Sequence, residues 1–284
     1  MTVIPIVDGT RQLAKRYPVW LCDIWGVLHN GVKAYPVAAD ALIQFRKNGG
    51  TVILITNAPR PHDDVERQLA GLGIGRQAHD AIVTSGDVTR RLIADYAASP
   101  LYHLGPDRDR SIFSGLEARL GPLDEATAVV CTGLMDDLTE TPESYRVPLG
   151  RMRKHALPMI CANPDIVVER GAALCYCAGA LGQAYEALGG NVSYAGKPHA
   201  PIYEAALARA TEIAGKPVDK SGVLAIGDGL LTDILGASRF GIDPLFVASG
   251  IHLSAGEGLN EKSLARLFPS QGPQPVAAIA QLAW

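Results

Sequence analysis

The chain has 284 residues, of which 48% are hydrophobic and 19% charged, with a formal net charge of −3. This composition is typical of a globular protein with a substantial core and excludes an intrinsically disordered chain. The mild charge predicts no nucleic-acid partner and no membrane partner, and no apolar run approaches the roughly 18 residues of a membrane span. Because segment 1–18 lacks a basic stretch followed by an apolar one, we expect no secretory signal and a cytoplasmic location.

Short apolar runs rich in β-branched residues predict strands, and segments with helical periodicity separate most of them. The strand-like runs are 19–26, 51–57, 81–86, 101–105, 128–133, 158–164, 192–197, 222–229 and 244–250. The helix-like segments are 36–48, 61–72, 86–97, 111–119, 143–156, 178–188, 200–214 and 231–240. This alternation predicts an α/β fold with parallel strands covered on both faces. The tail 268–276 is rich in proline and glutamine and predicts a loop before a short final helix.

The middle of the chain carries its own series of strands and helices. We therefore predict a core domain formed by 1–97 and 190–284, with 98–189 inserted as a second α/β domain.

Cysteine usage argues against a disulfide framework, because the chain has five cysteines, an odd number, and is not small. Cys175 and Cys177 form a C-x-C pair, but no second Cys/His pair follows at a spacing typical of zinc sites. We expect buried free thiols.

Several strand-like runs end on a residue whose side chain can react or bind a ligand. These residues are Asp23, Thr56, Lys197 and Asp228. In open parallel sheets ligands collect at the carboxyl ends of the strands, so these residues would converge at one edge if their strands are neighbours. Asp233 follows Asp228 by five residues. Carboxylates that face one point repel each other unless a cation joins them, and Mg²⁺ prefers such oxygen ligands.

Each of these residues also has a purely structural interpretation. A single aspartate at a strand end is often a helix N-cap or a turn former, and Thr56 and Asn57 are common turn residues. Lys197, taken alone, is more often a solvated surface lysine. The joint pattern, rather than any one residue, favours a functional site.

Four short motifs occur in order and together resemble the motifs of the haloacid dehalogenase (HAD) superfamily. They are Asp23-x-x-Gly26-Val27-Leu28, Leu54-Ile55-Thr56-Asn57, Gly196-Lys197-Pro198 and Gly227-Asp228-x-x-x-Thr232-Asp233. The spacing resembles class IIA, the group of NagD-type and para-nitrophenyl-phosphate phosphatases, in which a large α/β cap is inserted between the second and third motifs. The resemblance covers nearly the whole chain, and four ordered motifs are far more specific than one.

The resemblance implies a Rossmann-like core and hydrolysis of a small phosphorylated substrate. Asp23 would attack phosphorus and form an aspartyl-phosphate. Asp23, Asp228 and the backbone carbonyl of Trp25 would hold Mg²⁺, and Asp233 would bind it through water or orient the site. The expected cofactor is therefore Mg²⁺.

The resemblance also implies roles in substrate binding. Thr56 and Lys197 would bind the transferring phosphoryl oxygens, with Asn57 beside them.

The cap residues Asn163, Asp165 and Arg170 would contact the rest of the substrate. The cap would select the substrate and exclude water, and pairing of caps predicts a homodimer.

The chain departs from the family pattern at Trp25. Most phosphatases of the superfamily have a second aspartate two residues after the nucleophile, where it protonates the leaving alkoxide and then activates water. Indole is only a hydrogen-bond donor, and a general acid–base group is typically worth roughly 10²- to 10⁴-fold in rate. Ordinary alkyl phosphates should therefore be poor substrates.

Four alternatives remain open at this point. In the first, the substrate has a good leaving group, as in an acyl or aryl phosphate. In the second, His29 supplies the proton, since histidine titrates near neutrality. The simpler interpretation of His29 is a surface turn residue. The third is a phosphate-ligand binder with little or no turnover. The fourth is a metal-independent dehalogenase, whose aromatic residue at this position resembles Trp25, but the retained Asp228 and Asp233 favour Mg²⁺ chemistry.

Overall fold

The computed structural model describes residues 4–96, 99–170, 173–248 and 258–284. Within these ranges the strands are β1 (Val19–Asp23), β2 (Thr51–Thr56), β3 (Ala81–Thr84), β4 (Pro100–Leu104), β5 (Arg119–Leu120), β6 (Ala128–Cys131), β7 (Met159–Cys161), β8 (Val167–Arg170), β9 (Ala173–Tyr176), β10 (Val192–Tyr194), β11 (Val223–Gly227), β12 (Asp243–Val247) and β13 (Ala277–Ile279). The α-helices are α1 (Arg11–Ala14), α2 (Pro36–Lys47), α3 (His62–Gly71), α4 (Ser85–Ala94), α5 (Arg146–Lys154), α6 (Ala178–Ala187), α7 (Ala200–Ala214), α8 (Leu235–Phe240) and α9 (Glu261–Leu267).

The contacts within the chain define two compact units. The first consists of Met1–Thr56, Glu66–Val83 and Tyr203–Trp284, and the second of Asn57–Val65 and Thr84–Ile202. The predicted boundary between residues 97 and 98 lies outside the described residues. The domain limits predicted from the sequence therefore stay a prediction.

The first unit contains a six-stranded sheet in the order β13-β12-β11-β1-β2-β3. The pairs from β13 through β2 are parallel, and every residue of β1 is buried, which explains its continuous apolar run. Trp20 of β1 stacks on Phe45 of α2 with ring centroids 3.6 Å apart, and Trp284 packs against both rings at 6.3 Å. These aromatic residues belong to the core.

The second unit contains a five-stranded, fully parallel sheet in the order β10-β7-β6-β4-β5. Its core includes Val129 and Met159 on one face and Leu101 and Ile160 in a second cluster. A separate antiparallel hairpin joins β8 to β9. The α/β fold with parallel sheets is thus confirmed.

Three local expectations are wrong. The strand before Lys197 is β10, and it pairs with β7 in the second sheet, so Lys197 does not follow a strand of the sheet that carries Asp23. The helix expected over 111–119 is replaced by a 3₁₀ segment, Asp107–Phe113, and by β5. The expected final helix is instead β13, because tertiary pairing with β12 overrides the helical propensity of its alanines.

Among the described residues, no helix combines the length and the apolar character needed to cross a membrane. The cytoplasmic location and the homodimer stay predictions. The five cysteines are reduced and buried, as expected from the sequence.

Candidate active site

The first unit places its acidic residues at a topological switch point. β1 and β11 are neighbours, but the chain continues from β1 toward β2 on one side and from β11 toward β12 on the other. Such divergence opens a crevice outside the carboxyl ends of the two strands. Asp23 is the last residue of β1, and Asp228 directly follows β11.

Three carboxylates meet in this crevice. Oxygen atoms of Asp23, Asp228 and Asp233 all lie within 4.8 Å of one another, and Asp23 and Asp233 are buried. Mutual repulsion at this separation is costly in a buried setting, and a hard divalent cation bound by oxygen ligands removes it. The residues present therefore fit a divalent cation, and Mg²⁺ stays a prediction.

Backbone geometry holds Asp233 in this group. Asp233 lies in a π-helical stretch, Leu230–Ile234, a form that is rare and often occurs at functional sites. The Gly229 N–H donates to Asp233 Oδ2 at 3.1 Å. The buried Tyr203 hydroxyl lies 3.3 Å from the carbonyl oxygens of both Thr232 and Asp233. These bonds fix the start of the segment that carries the third carboxylate.

Gly26 is required by the close approach of the Asp228 carboxylate. Its φ is +82°, and a Cβ at this position would overlap the Asp228 side chain. The glycine of the first motif therefore lets the loop after Asp23 pass directly beside the second carboxylate.

Trp25 is half-buried and held in one place by its own loop. A Cβ on Gly31 would collide with the indole ring, and the His29 ring packs edge-on against the indole with centroids 5.2 Å apart. By its place in the first motif, Trp25 stands where the resemblance predicts a second aspartate. Its backbone carbonyl stays a predicted metal ligand.

His29 is buried rather than a surface turn residue. It is 2% exposed, and its Nδ1 accepts a hydrogen bond from the Gly31 N–H at 2.9 Å. His29 Nδ1 is thereby used as a hydrogen-bond acceptor. A role for His29 as a replacement acid stays a prediction.

The predicted phosphate-binding residues do not all lie in one unit. Thr56 belongs to the first unit, and Asn57 and Lys197 belong to the second. Thr56 is buried at the end of β2, whose Ile55 pairs with Asp23 in the first unit. In the second unit Asn57 clamps Lys197: its Oδ1 accepts from the Lys197 N–H at 2.7 Å, and its Nδ2 donates to the Lys197 carbonyl at 3.0 Å. Lys197 is 2% exposed, so it is not a solvated surface lysine.

Two of the predicted cap residues join this clamp. Asn57 Nδ2 also donates to Asp165 Oδ1 at 2.9 Å, and the Asp165 N–H donates to Asn163 Oδ1 at 3.0 Å. The Asn57 amide therefore positions Lys197 and Asp165 through its own hydrogen bonds. Direct contact of Asn57, Asn163 and Asp165 with a substrate stays a prediction.

The sequence points to Arg170 as a candidate substrate contact but not to the ion cluster of the second unit to which it belongs. Asp137 is 9% exposed and accepts hydrogen bonds from Arg170 at 3.0 and 2.6 Å and from Arg108 at 2.6 Å. Although burial alone would raise the pKa of Asp137, the hydrogen bonds and charges of Arg170 and Arg108 hold it below its usual value. We call these three residues the arginine cluster. A search for charged residues in the loops after the predicted strands at 101–105 and 128–133 points to this cluster.

A buried polar group lies next to the arginine cluster. His103 Nε2 lies 2.9 Å from the Thr132 hydroxyl, which also hydrogen-bonds the buried Asp109. Burial raises the pKa of Asp109 to about 6, against the opposing charges of Arg108 and Arg60. Burial, with a smaller contribution from the Arg110 charge, lowers the pKa of His103 to about 4.

Comparison with known proteins places the chain in a family. Residues 20–119 match the family described as haloacid dehalogenase-like hydrolase, and residues 194–269 match a second family of HAD-hydrolase-like sequences. A haloacid dehalogenase-like hydrolase from Brucella suis 1330 is 46% identical, with a TM-score of 0.88 over 97% of this chain and 99% of that one. This chain therefore belongs to the haloacid dehalogenase-like hydrolase family.

More distant relatives agree with this placement. An acid sugar phosphatase of Staphylococcus haemolyticus is 27% identical over 87% of this chain and 90% of its own length. A 4-nitrophenylphosphatase of Thermotoga maritima shares the fold, with 21% identity and a TM-score of 0.72 over 95% of this chain and 96% of that one. The class IIA fold expected from the motif spacing is thus confirmed.

The set of three carboxylates predicts how removal of one of them changes the stability of the protein with and without metal. Asp228→Asn removes one of three repelling charges, so the thermal midpoint in EDTA should stay equal or rise. The stabilisation by Mg²⁺ or Mn²⁺, about 2.7 kcal/mol at 100 times the dissociation constant, should disappear. Calorimetric titration with Mn²⁺ and thermal scans measure both effects. Asp8→Asn, at an exposed carboxylate, is the charge-matched control; an unchanged metal response in Asp228→Asn would contradict the assignment.

The Asp109 and His103 pKa values predict opposite pH dependences of stability. Because the folded-state pKa of Asp109 is raised to about 6, acidification from pH 6 toward its ordinary value near 3.8 stabilises the fold. Because the folded-state pKa of His103 is lowered to about 4, acidification from its ordinary value of 6.5 to 4 destabilises the fold. Each effect amounts to about 1–3 kcal/mol.

The two effects offset each other in the native chain and separate in variants. Asp109→Asn should make the unfolding free energy fall more steeply between pH 6.5 and 4, and His103→Gln should make it fall less. Urea unfolding at several pH values measures the slopes. Equal slopes in both variants and the parent would show that neither group titrates as described.

Proposed function

We propose that this hydrolase is a Mg²⁺-dependent phosphatase that acts on a small phosphorylated metabolite with a good leaving group. The observation that carries the proposal is the buried nucleophile position, Asp23, beside two further carboxylates within 4.8 Å. Trp25 at the usual acid–base position restricts the leaving group. A Mg²⁺ ion bound by Asp23, Asp228 and Asp233 would supply positive charge that offsets the charge of the phosphoryl oxygens.

In the first step, a carboxylate oxygen of Asp23 forms a bond to phosphorus and the bond to the leaving oxygen breaks. The Thr56 hydroxyl donates a hydrogen bond to a phosphoryl oxygen. In the second step, water attacks the aspartyl-phosphate, releases inorganic phosphate and regenerates the Asp23 carboxylate.

The leaving oxygen departs without a proton donor in this scheme. Indole at Trp25 provides no acidic proton at neutral pH, and His29 Nδ1 accepts a hydrogen bond from the Gly31 N–H rather than donating one. An acyl or aryl phosphate releases a stable anion that needs no proton, whereas an alkyl phosphate releases an alkoxide that must be protonated. The function is therefore restricted to acyl, aryl or enol phosphates.

The names of relatives support phosphate chemistry. The curated relatives include acid sugar phosphatases and a 5'-nucleotidase, and a structural neighbour is a 4-nitrophenylphosphatase. The retained Asp228 and Asp233 argue against a metal-independent dehalogenase. The competing function is that of a phosphate-ligand binder with negligible turnover, which the presence of Trp25 favours.

A substrate panel tests the proposal. With Mg²⁺, 4-nitrophenyl phosphate and acetyl phosphate should be hydrolysed faster than glycerol 3-phosphate by about 10²-fold or more, the typical worth of the missing acid. Asp23→Asn should abolish release of inorganic phosphate, while Asp8→Asn should retain it. Absence of turnover above the Asp23→Asn background on all phosphates would leave the binding protein as the function.

Restoring the missing acid should broaden the leaving groups accepted. Trp25→Asp should raise kcat/KM for glycerol 3-phosphate by about 10- to 10³-fold, with a much smaller gain for 4-nitrophenyl phosphate. Trp25→Asn, of equal size but without an acidic proton, is the matched control. If both variants gave the same rates, with fold and metal binding intact, the role given to this position would be wrong.

A further inference from the structure

The second unit has a switch point of its own. β4 and β6 are neighbours in its parallel sheet, yet the chain continues from β4 to β5 on one side and from β6 to β7 on the other. In open parallel sheets, ligands bind at such a point, in a crevice outside the carboxyl ends of the two strands. The loops that follow β4 and β6 both belong to the second unit.

The arginine cluster joins three separate segments of the second unit at this point. Arg108 belongs to the 3₁₀ segment after β4, Asp137 to the loop after β6, and Arg170 is the last residue of β8. Both arginines donate an Nη2 hydrogen to Asp137 Oδ2 at 2.6 Å, so the two guanidinium groups lie next to each other. The tertiary fold of the second unit, rather than one local turn, therefore brings two like charges together.

The arginine cluster carries one positive charge in excess. Although burial opposes it, Asp137 stays ionised, because the hydrogen bonds and charges of Arg170 and Arg108 hold its pKa below its usual value. Two guanidinium groups thus share a single carboxylate. Like charges held this close repel each other, and a second carboxylate beside them would remove the excess charge.

Neighbouring acids do not supply this second carboxylate. Asp107 forms an ion pair with Arg110 at 2.8 Å. Asp136 accepts from the Thr139 hydroxyl at 2.7 Å and from the Leu138 N–H at 3.0 Å within its own turn. In the part of the chain that the structure describes, Asp137 is the acid that hydrogen-bonds to the two arginines.

Each guanidinium group keeps a complete edge of two N–H donors. A guanidinium has five N–H donors in a rigid fork. Arg170 gives Asp137 one hydrogen from each Nη, which leaves the edge formed by Nε and the second Nη2 hydrogen. Arg108 gives Asp137 a single Nη2 hydrogen. Because the Arg108 and Arg170 side chains are 53% and 38% exposed, their remaining donors are accessible to a small anion.

Buried polar groups lie beside the arginine cluster. Thr132 and Asp109 are 3% and 5% exposed and hydrogen-bond each other. Burial raises the pKa of Asp109 to about 6, and the charges of Arg108 and Asp137 act on it in opposite directions, so both lie near this carboxyl. The charge of Arg60 also favours ionised Asp109 and offsets it. Buried titratable groups cost stability and concentrate at ligand sites, so this pair marks the same place as the cluster.

We propose that the second unit binds a small organic carboxylate at Arg108 and Arg170, in a site that uses no residue of the first unit. The carboxylate of the ligand accepts from the remaining donors of both arginines and gives each guanidinium group a counter-ion. Asp137 demonstrates that a carboxylate fits these two side chains. A phosphate monoester, with about two negative charges, exceeds the single charge to be neutralised. This site is additional to the proposed phosphatase function and does not rest on it.

Nitrogen-edited NMR spectra of the arginine Nε–H groups test this site in the full chain with Mg²⁺. Propionate and propionamide have nearly the same size and differ in charge. Propionate should shift the signals of Arg108 and Arg170 to saturation, with half-saturation at about 1–10 mM, and propionamide should not. Each signal is assigned by its loss in Arg108→Gln or Arg170→Gln. Either variant should weaken propionate binding, followed at the other arginine, by about 10- to 100-fold.

Control variants separate this site from others on the chain. Arg146→Gln, at an exposed arginine of the second unit, should leave the half-saturation concentration of propionate unchanged. Asp23→Asn, in the first unit, should leave it unchanged as well. Asp137→Asn should lower it, because the competing carboxylate is removed, and misfolding cannot imitate a gain in affinity. Circular dichroism checks the fold of every variant.

Four results would each overturn the proposal. They are the absence of a saturable shift in the parent, equal shifts with propionamide, unchanged binding in both arginine variants, and altered binding in Asp23→Asn. If inorganic phosphate shifts the same two signals at lower concentration than propionate, the carboxylate assignment is wrong. Failure of the phosphatase function appears separately, as absent turnover in the substrate panel.

Discussion

Repulsion among Asp23, Asp228 and Asp233 is the constraint on which the first unit depends. Their oxygens lie within 4.8 Å of one another, in a setting where two of the three carboxylates are buried. The fold bears this cost because each acid is attached to a rigid element: Asp23 to a fully buried strand, Asp228 to the residue after another, and Asp233 to a π-helical segment fixed by Gly229 and Tyr203. An arrangement so unfavourable without a cation persists only where the surrounding packing overdetermines it.

The sequence predicts which residues end the buried strands of this part of the molecule, for a physical reason. Strands of a parallel sheet that are buried on both faces read as unbroken apolar runs, so a polar residue such as Asp23 or Thr56 at the end of a run is visible without a structure. Lys197 shows the limit of the same reasoning. Its strand, β10, is short and only partly buried, and nothing in Val192–Tyr194 specifies which of two sheets it joins. Strand partners depend on the whole fold, which is also why the alanines of β13 were read as a helix.

Trp25 and His29 show why side-chain roles follow from local geometry rather than from residue type. A histidine four residues after the position of a missing acid is a reasonable replacement on sequence grounds. In the structure the Gly31 N–H points at His29 Nδ1 while the Gly31 backbone packs against the indole of Trp25. One glycine thus contacts the aromatic ring and donates to the neighbouring imidazole. The loop between Asp23 and α2 is therefore built around the tryptophan, and the absence of an acid is a property of the whole loop.

Both sheets follow one rule of parallel-sheet topology. Each sheet has adjacent parallel strands whose continuing loops diverge, β1 and β11 in the first unit and β4 and β6 in the second, and each places its charged side chains at that divergence. In the first the charges are carboxylates, suited to a cation; in the second they are guanidinium groups around one carboxylate, suited to an anion. Each set of charges lies at the position where its own sheet most readily forms a crevice.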